Sequence, residues 1–213
     1  MTEKRGAFIV IEGLDRSGKS TQAAALVERL SSRNIPAKLF KFPDRATPIG
    51  KMIDAYLRSE SELDDRAVHL LFSANRWELA VSIERILASG TTIICDRYAF
   101  SGIAFSAAKG LPYDWCAAPD AGLPMPDVTL FFDVTPEIAC ARCGYGEERY
   151  EREELQARVR EQFLHIGAKM GETWKVVDAG KERDVVSEDV WAAVAPLVTP
   201  SKLETVIGRL WQE

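Results

Sequence analysis

Eight consecutive residues, Gly13-Leu14-Asp15-Arg16-Ser17-Gly18-Lys19-Ser20, carry the spacing G-x-x-x-x-G-K-[ST]. An apolar run over 7–11 leads into them. A helical pattern from Ser20-Thr21-Gln22 to about Leu30 follows. Strand, glycine loop and helix in that order make a cradle for phosphate. The backbone curls so that successive N–H groups point inward, a path that a side chain at Gly13 or Gly18 would obstruct. The helix adds the positive end of its dipole. Lys19 reaches the β- and γ-phosphates as a point charge, and Ser20 offers a hydroxyl to Mg2+. The chemistry of this stretch is the binding of a nucleoside triphosphate.

Three further stretches belong with it. Ile93-Ile94-Cys95-Asp96-Arg97-Tyr98 reads as an apolar strand ending in Asp-Arg. An Asp at the carboxyl end of such a strand can hold a magnesium shell, as a Walker-B aspartate does; the alternative is a plain strand-end turn. The second strand ends in Lys41-Phe42-Pro43-Asp44-Arg45, which brings Arg45 to the same sheet edge. Arg45 and Arg97 beside a triphosphate loop suggest a second anion; the alternative is surface pairing with Asp44 or Asp65. Phe72 and Arg76 lie at i and i+4 of a long helix, so they share a face. An aromatic plane and a planar donor fork can stack on and hydrogen-bond a base. A core Phe beside a surface Arg is the competing reading.

Strand-length apolar runs at 8–11, 37–42, 91–95, 128–132 and 174–177 must position these groups, with helical patterns between them. That alternation predicts an α/β fold, a three-layer, doubly wound parallel five-stranded sheet, in one domain over 1–213. Pro48 suits the first turn of a helix carrying Ile49, Ile53 and Leu57. Asp64 caps and Gly90 stops a long helix with Val68, Leu71, Phe72, Leu79, Ile83, Ile86 and Leu87 as its apolar positions. Four prolines between 112 and 126 mark a loop-rich connection. A charged helix is expected over 147–169, with Leu155, Val159, Phe163 and Ile166 as its stripe. The tail from about 187 to 212 reads as two short helices split at 196–200.

The chain has 213 residues, 46% hydrophobic and 28% charged, with a net charge of −5. Such a balance offers nucleic acid no broad basic surface, so an anion site must be a local arginine cluster. Cys95, Cys116, Cys140 and Cys143 follow no zinc pattern and read as thiols of a reducing compartment. With no apolar run of membrane-spanning length and no signal-peptide core, the expected location is cytoplasmic, a nuclear or organellar pool being left open. A guanine-nucleotide switch expects N-K-x-D, and the chain has no Asn-Lys pair. Its D-x-x-G, Asp15 to Gly18, lies inside the phosphate loop itself. Another nucleoside or nucleotide kinase on the same scaffold is the nearer rival.

Phe-Pro-Asp-Arg after the second strand, Leu-Leu-Phe-Ser-Ala-Asn-Arg-Trp-Glu at 70–78 and Asp-Arg-Tyr-Ala-Phe-Ser-Gly-Ile-Ala-Phe at 96–105 resemble the thymidylate kinases. Gly-Leu-Pro-Met-Pro-Asp at 122–127 and Glu-Arg-Tyr-Glu at 148–151 are similar too. The similarity runs from about 7 to 181. The Asp-Arg inside the phosphate loop resembles the eukaryotic type. The resemblance implies a nucleoside monophosphate kinase fold, and phosphoryl transfer from MgATP to dTMP giving dTDP and ADP. It implies that Gly13, Arg16, Ser17, Gly18, Lys19, Ser20 and Thr21 hold the donor phosphates, with Ser20 and Asp96 at the metal. Arg142 and Lys181 would lie at the adenine. Asp15 would hold the acceptor 3′-hydroxyl, and Arg45 and Arg97 its phosphate. Phe72 would stack on thymine and Arg76 bond its edge, with Phe42, Ser101, Gly102 and Phe105 nearby and Tyr150 under the deoxyribose. Arg16, Lys19, Asp96 and Arg97 would be catalytic. The resemblance also implies a lid at about 136–150, and homodimers formed through helices beside the sheet. The stretch 134–137 and the tail beyond 181 depart from the family pattern.

Overall fold

The computed structural model describes residues 5–142, 148–198, 203 and 206–212. Five strands form one sheet: β1 (Phe8–Gly13), β2 (Ala37–Lys41), β3 (Thr92–Asp96), β4 (Val128–Asp133) and β5 (Trp174–Asp178). They pair in parallel in the order β2-β3-β1-β4-β5. The helices are α1 (Lys19–Ser31), α2 (Pro48–Leu57), α3 (Asp65–Ala88), α4 (Ala99–Ala107), α5 (Tyr113–Ala117), α6 (Pro136–Cys140), α7 (Glu153–Met170) and α8 (Arg183–Val198). β1 lies between β3 and β4, and all six of its residues are buried. A central parallel strand is covered on both faces, which is why its first four residues read as a continuous apolar run. β2 is an edge strand with no buried residue, short and carrying Lys38 and Lys41, features that discourage edge pairing. The doubly wound expectation holds: α1 and α8 pack together against the sheet, while α3, α4 and α7 form the other helical layer.

Local signals explain two helix starts. Thr47 caps α2 by accepting the Gly50 N–H at 2.9 Å, with Pro48 in the first turn. Asp64 caps α3 by accepting the Arg66 N–H at 2.8 Å. No side chain caps α1, whose N-cap is Gly18. That helix start opens into the loop rather than being closed by the chain itself.

Two expectations need correction. The charged helix begins at Glu153 rather than 147, because the residues just before it turn to bring Tyr150 inward. Leu155, Val159, Phe163 and Ile166 are its buried stripe as expected. The tail is one helix, α8, running through Pro196, with no second helix among the described residues. Pro196 falls in the last turn, where its missing N–H costs one intrahelical bond and only two helical residues follow it. Residues beyond α8 pair instead with the 122–125 loop: Gly122 N–H donates to Leu210 O at 2.8 Å, Leu210 N–H to Leu123 O at 2.9 Å, and Met125 N–H to Gly208 O at 2.8 Å. Part of the expected second tail helix, 199–202 and 204–205, lies outside the described residues.

The two loop glycines are needed for different reasons. A Cβ on Gly13 would lie 2.6 Å from the Phe132 carbonyl oxygen of β4, at φ +148°. At Gly18 the nearest atom would be 3.8 Å away, so space is available. There the left-handed φ of +93° is the constraint, not the obstruction expected from sequence. Gly13→Ala is expected to wedge β1 from β4 and cost about 1–3 kcal/mol of stability. A denaturant titration checks this; a midpoint equal to that of the parent chain would contradict the reading.

Candidate active site

The carboxyl ends of β1 and β3 open into one cleft of about 710 Å³. Chain connections leave these neighbouring strands toward opposite sides of the sheet, the usual place for a ligand crevice. Every residue singled out from the sequence lines this cleft except Gly13, which lies behind the loop against β4. Nine basic side chains face four acidic ones across its lining, in a chain of net charge −5. The local cluster is therefore suited to polyanions although the chain as a whole is not.

One half of the cleft is the glycine loop. Lys19 is buried, and its ammonium donates to the Leu14 carbonyl and, at 3.2 Å, to Ser17 Oγ. Burial, and then the Arg97 charge, push its pKa down to about 7. Arg16 has a left-handed φ of 60° and donates from Nε to Glu151 Oε1 at 3.0 Å. Arg142 bridges two backbone carbonyls, Arg16 O at 2.7 Å and Ala179 O at 2.8 Å, and so ties the loop to the end of β5. Lys181 pairs with Asp189 at 2.8 Å. Of the expected lid over 136–150, the stretch 143–147, Cys143 included, lies outside the described residues.

Ser20 Oγ donates to Asp96 Oδ2 at 2.5 Å, and Lys41 Nζ stands 3.6 Å from the same carboxylate oxygen. A hydroxyl and a buried carboxylate side by side at the phosphate loop fit magnesium. That ion takes few protein oxygens and completes its shell with phosphate and water. Among the described residues no group of three or more His, Cys, Asp or Glu could hold a metal by itself.

The other half is built on Arg97, held at a left-handed φ of 69°. Its Nη1 donates to Gly13 O and to Ser101 Oγ, both at 2.9 Å, and its Nη2 donates to Asp15 Oδ1. Burial alone would raise the Asp15 carboxyl, but Arg97 and Lys19 outweigh it and hold the group below its ordinary range. Arg45 pairs with Asp54 and Glu148, each at 2.7 Å, rather than with Asp44 or Asp65. Arg76 is no surface residue: it is 2% exposed and pairs side-on with Asp120, which is fully buried. Phe72 is half-buried beside it. Tyr150 stacks on Phe105 with ring centroids 5.3 Å apart, and its hydroxyl accepts from Lys109 Nζ at 2.9 Å.

Sequence reasoning missed three residues that hold these groups. Gln156 grips Asp15 twice, donating to Oδ2 at 2.8 Å and accepting the Asp15 N–H at 3.1 Å. Asp120 holds Arg76. Glu12, fully buried at the end of β1, accepts the N–H groups of Tyr98 and Ser101 at 2.9 and 3.0 Å, and the Ser101 hydroxyl at 2.5 Å. It fixes the start of α4 to the central strand. Its one sequence signal was an acidic residue in a run where every position had to be buried.

Comparison with known proteins follows the same outline. The family described as "Thymidylate kinase" matches residues 11–190. The thymidylate kinase of Schizosaccharomyces pombe is 51% identical over 98% of this chain and 99% of its own length. That of Homo sapiens is 44% identical over 100% of both. A solved structure of the thymidylate kinase from Candida albicans superposes with a TM-score of 0.88 at 43% identity, over 98% of this chain and 100% of that one.

Burial raises the Glu12 carboxyl above its ordinary value of 4.5. Its folded form therefore holds a proton more tightly than the unfolded chain does. The stability this contributes is present below about pH 4.5 and lost as pH rises through the folded value. Glu12→Gln removes that dependence, and its amide oxygen can still accept the N–H groups of Tyr98 and Ser101. The variant is expected to gain stability relative to the parent between pH 4 and pH 8, read by thermal melting; a difference independent of pH would refute the account.

Proposed function

This chain belongs to the thymidylate kinase family, and from that premise we propose which side chains serve each of its two nucleotides. It transfers the γ-phosphoryl group of ATP to dTMP, giving dTDP and ADP, a step of dTTP synthesis. The observation that carries the assignment of roles is the single cleft. In it the phosphate loop faces a wall of Arg45, Phe72, Arg76, Arg97 and Tyr150.

Donor and acceptor are both anions, so bringing them together is uphill, and catalysis is mainly positioning and neutralisation. The loop from Gly13 to Thr21, with Lys19 at its centre, holds the donor phosphates. Ser20 and Asp96 would hold magnesium, which would supply neutralisation of the donor's negative charge. Arg16, two positions before Gly18, follows the transferring group; its position inside the phosphate loop supports this role. Arg97 and Arg45 hold the attacking phosphate, whose oxygen is already largely ionised near pH 7, so no strong base is required. Asp15 takes the 3′-hydroxyl. Phe72 stacks on the base, Arg76 bonds its edge, and the Tyr150 ring fills the space a 2′-hydroxyl needs. Phe42, Ser101, Gly102 and Phe105 complete the acceptor wall. Arg142 and Lys181 serve the adenine, and the segment 136–150 closes over both ligands, excluding water whose attack would waste ATP. The free thiols Cys95, Cys116 and Cys140 suit a reducing compartment such as the cytoplasm.

The same reading extends to a homodimer. Leu70, Trp77 and Val81 are exposed along one stripe of α3, with Met52 of α2 exposed as well. An apolar stripe of this kind on packed helices is the type of surface a second copy covers.

Steady-state kinetics separates the roles. Phe72→Ala should weaken dTMP binding by about 1–3 kcal/mol while leaving the KM for ATP unchanged, as for loss of a base-stacking ring. Arg16→Gly should lower kcat, by about 10³–10⁵ at most, with KM values nearly unchanged. A raised KM for ATP at normal kcat would assign Arg16 to binding instead. Light scattering should give twice the chain mass, and Val81→Glu should return it to one chain. A parent protein already of single-chain mass would remove the dimer.

A further inference from the structure

Arg76 lines the cleft, whereas Asp120 does not. The two meet behind the cleft wall: Nε donates to Asp120 Oδ1 at 3.1 Å and Nη2 to Oδ2 at 2.6 Å. This side-on pairing takes one edge of the guanidinium and leaves Nη1 as its free corner. Asp120 is itself held. Ser73 Oγ donates to Oδ1 at 2.7 Å, and the preceding carbonyl, Pro119 O, accepts from Trp77 Nε1 at 2.8 Å. On the far side the fork rests on α4, where a Cβ at Gly102 would come within 2.8 Å of Nη2. The plane of the guanidinium is thus clamped between a buried carboxylate and a glycine, with one corner left for the cleft.

We propose that Asp120 is a positioning residue for acceptor choice. By fixing the plane and the free corner of Arg76, it presents donors alone to the base edge, so that a pyrimidine with a carbonyl oxygen there is accepted and one with an amino group is refused. A donor facing a donor leaves both unpaired in a buried site, which is the costly arrangement. Without the clamp the fork can rotate, and the refusal weakens. This inference rests on Arg76 as the base contact.

The test is steady-state kinetics on dTMP and dCMP for Arg76→Met, Asp120→Asn and the double variant. Asp120→Asn should raise the KM for dTMP by about tenfold or more, leave the KM for ATP unchanged, and lower the preference for dTMP over dCMP. In the Arg76→Met background the same change should add nothing to the KM for dTMP. Should Asp120→Asn not fold, Ser73→Ala decides by the same readout, an unchanged KM for dTMP overturning the proposal. If Arg76→Met raises the KM for dTMP and Asp120→Asn does not, or if both substrates and ATP weaken together, Asp120 has no positioning role. If Arg76→Met itself leaves dTMP untouched, the assignment of Arg76 to the base is what fails.

Discussion

Guanidinium groups repel one another, and this cleft gathers several of them around space meant for phosphate. Four of them carry a carboxylate: Arg97 has Asp15, Arg45 has Asp54 and Glu148, Arg16 has Glu151, and Arg76 has Asp120. Removing charges from water is expensive unless they are paired and hydrogen-bonded. The pairing lets the cluster exist in a folded chain of net negative charge. It also sorts the arginines. Arg76 is sealed with its partner, while Arg45 is about one-third exposed and shares Glu148, itself near 35% exposed, on the segment beside the lid.

The sheet brings these pairs together. β1 and β3 are neighbours, so the glycine loop and Asp96-Arg97 emerge side by side although more than 80 residues separate Asp15 from Arg97. Glu12 then binds the end of β1 to the start of α4, and α4 carries Ser101, Gly102 and Phe105. The phosphate loop and the wall carried by α4 are thus two sides of one junction. A shift of the central strand would move both.

What could be read from the chain was local. The phosphate loop is contiguous, its flanking strand and helix show their periods directly, and Phe72 and Arg76 share a helix face by spacing alone. The parallel sheet followed from alternation of strand and helix patterns. What escaped was long-range. Arg76 and Asp120 are 44 residues apart, and Asp15 and Gln156 are 141 apart. No pattern in one chain pairs an aspartate in a proline-rich connection with an arginine on an earlier helix. The tail failed for a related reason: its helical propensity was readable, but its backbone pairing with 122–125 depends on a loop formed earlier in the chain. Arg142 lay within the stretch that resembles the family. Its use as a staple between two carbonyls had no signal, because backbone acceptors have no letter in the sequence.

That tail pairing has a consequence for how the protein is made. Arg209 reaches the Gly122 carbonyl across 87 positions, and Leu210 exchanges backbone bonds with the same loop. The loop begins two residues after Asp120. On a ribosome, the support beneath that stretch is missing until nearly all of the described chain has been synthesised, since contacts of long sequence separation close last. The phosphate loop, between the first strand and first helix, is complete far sooner. By the same pairing, any group fused after residue 212 would sit beside the 122–125 loop, close in sequence to the carboxylate that pairs with Arg76, rather than at a remote end.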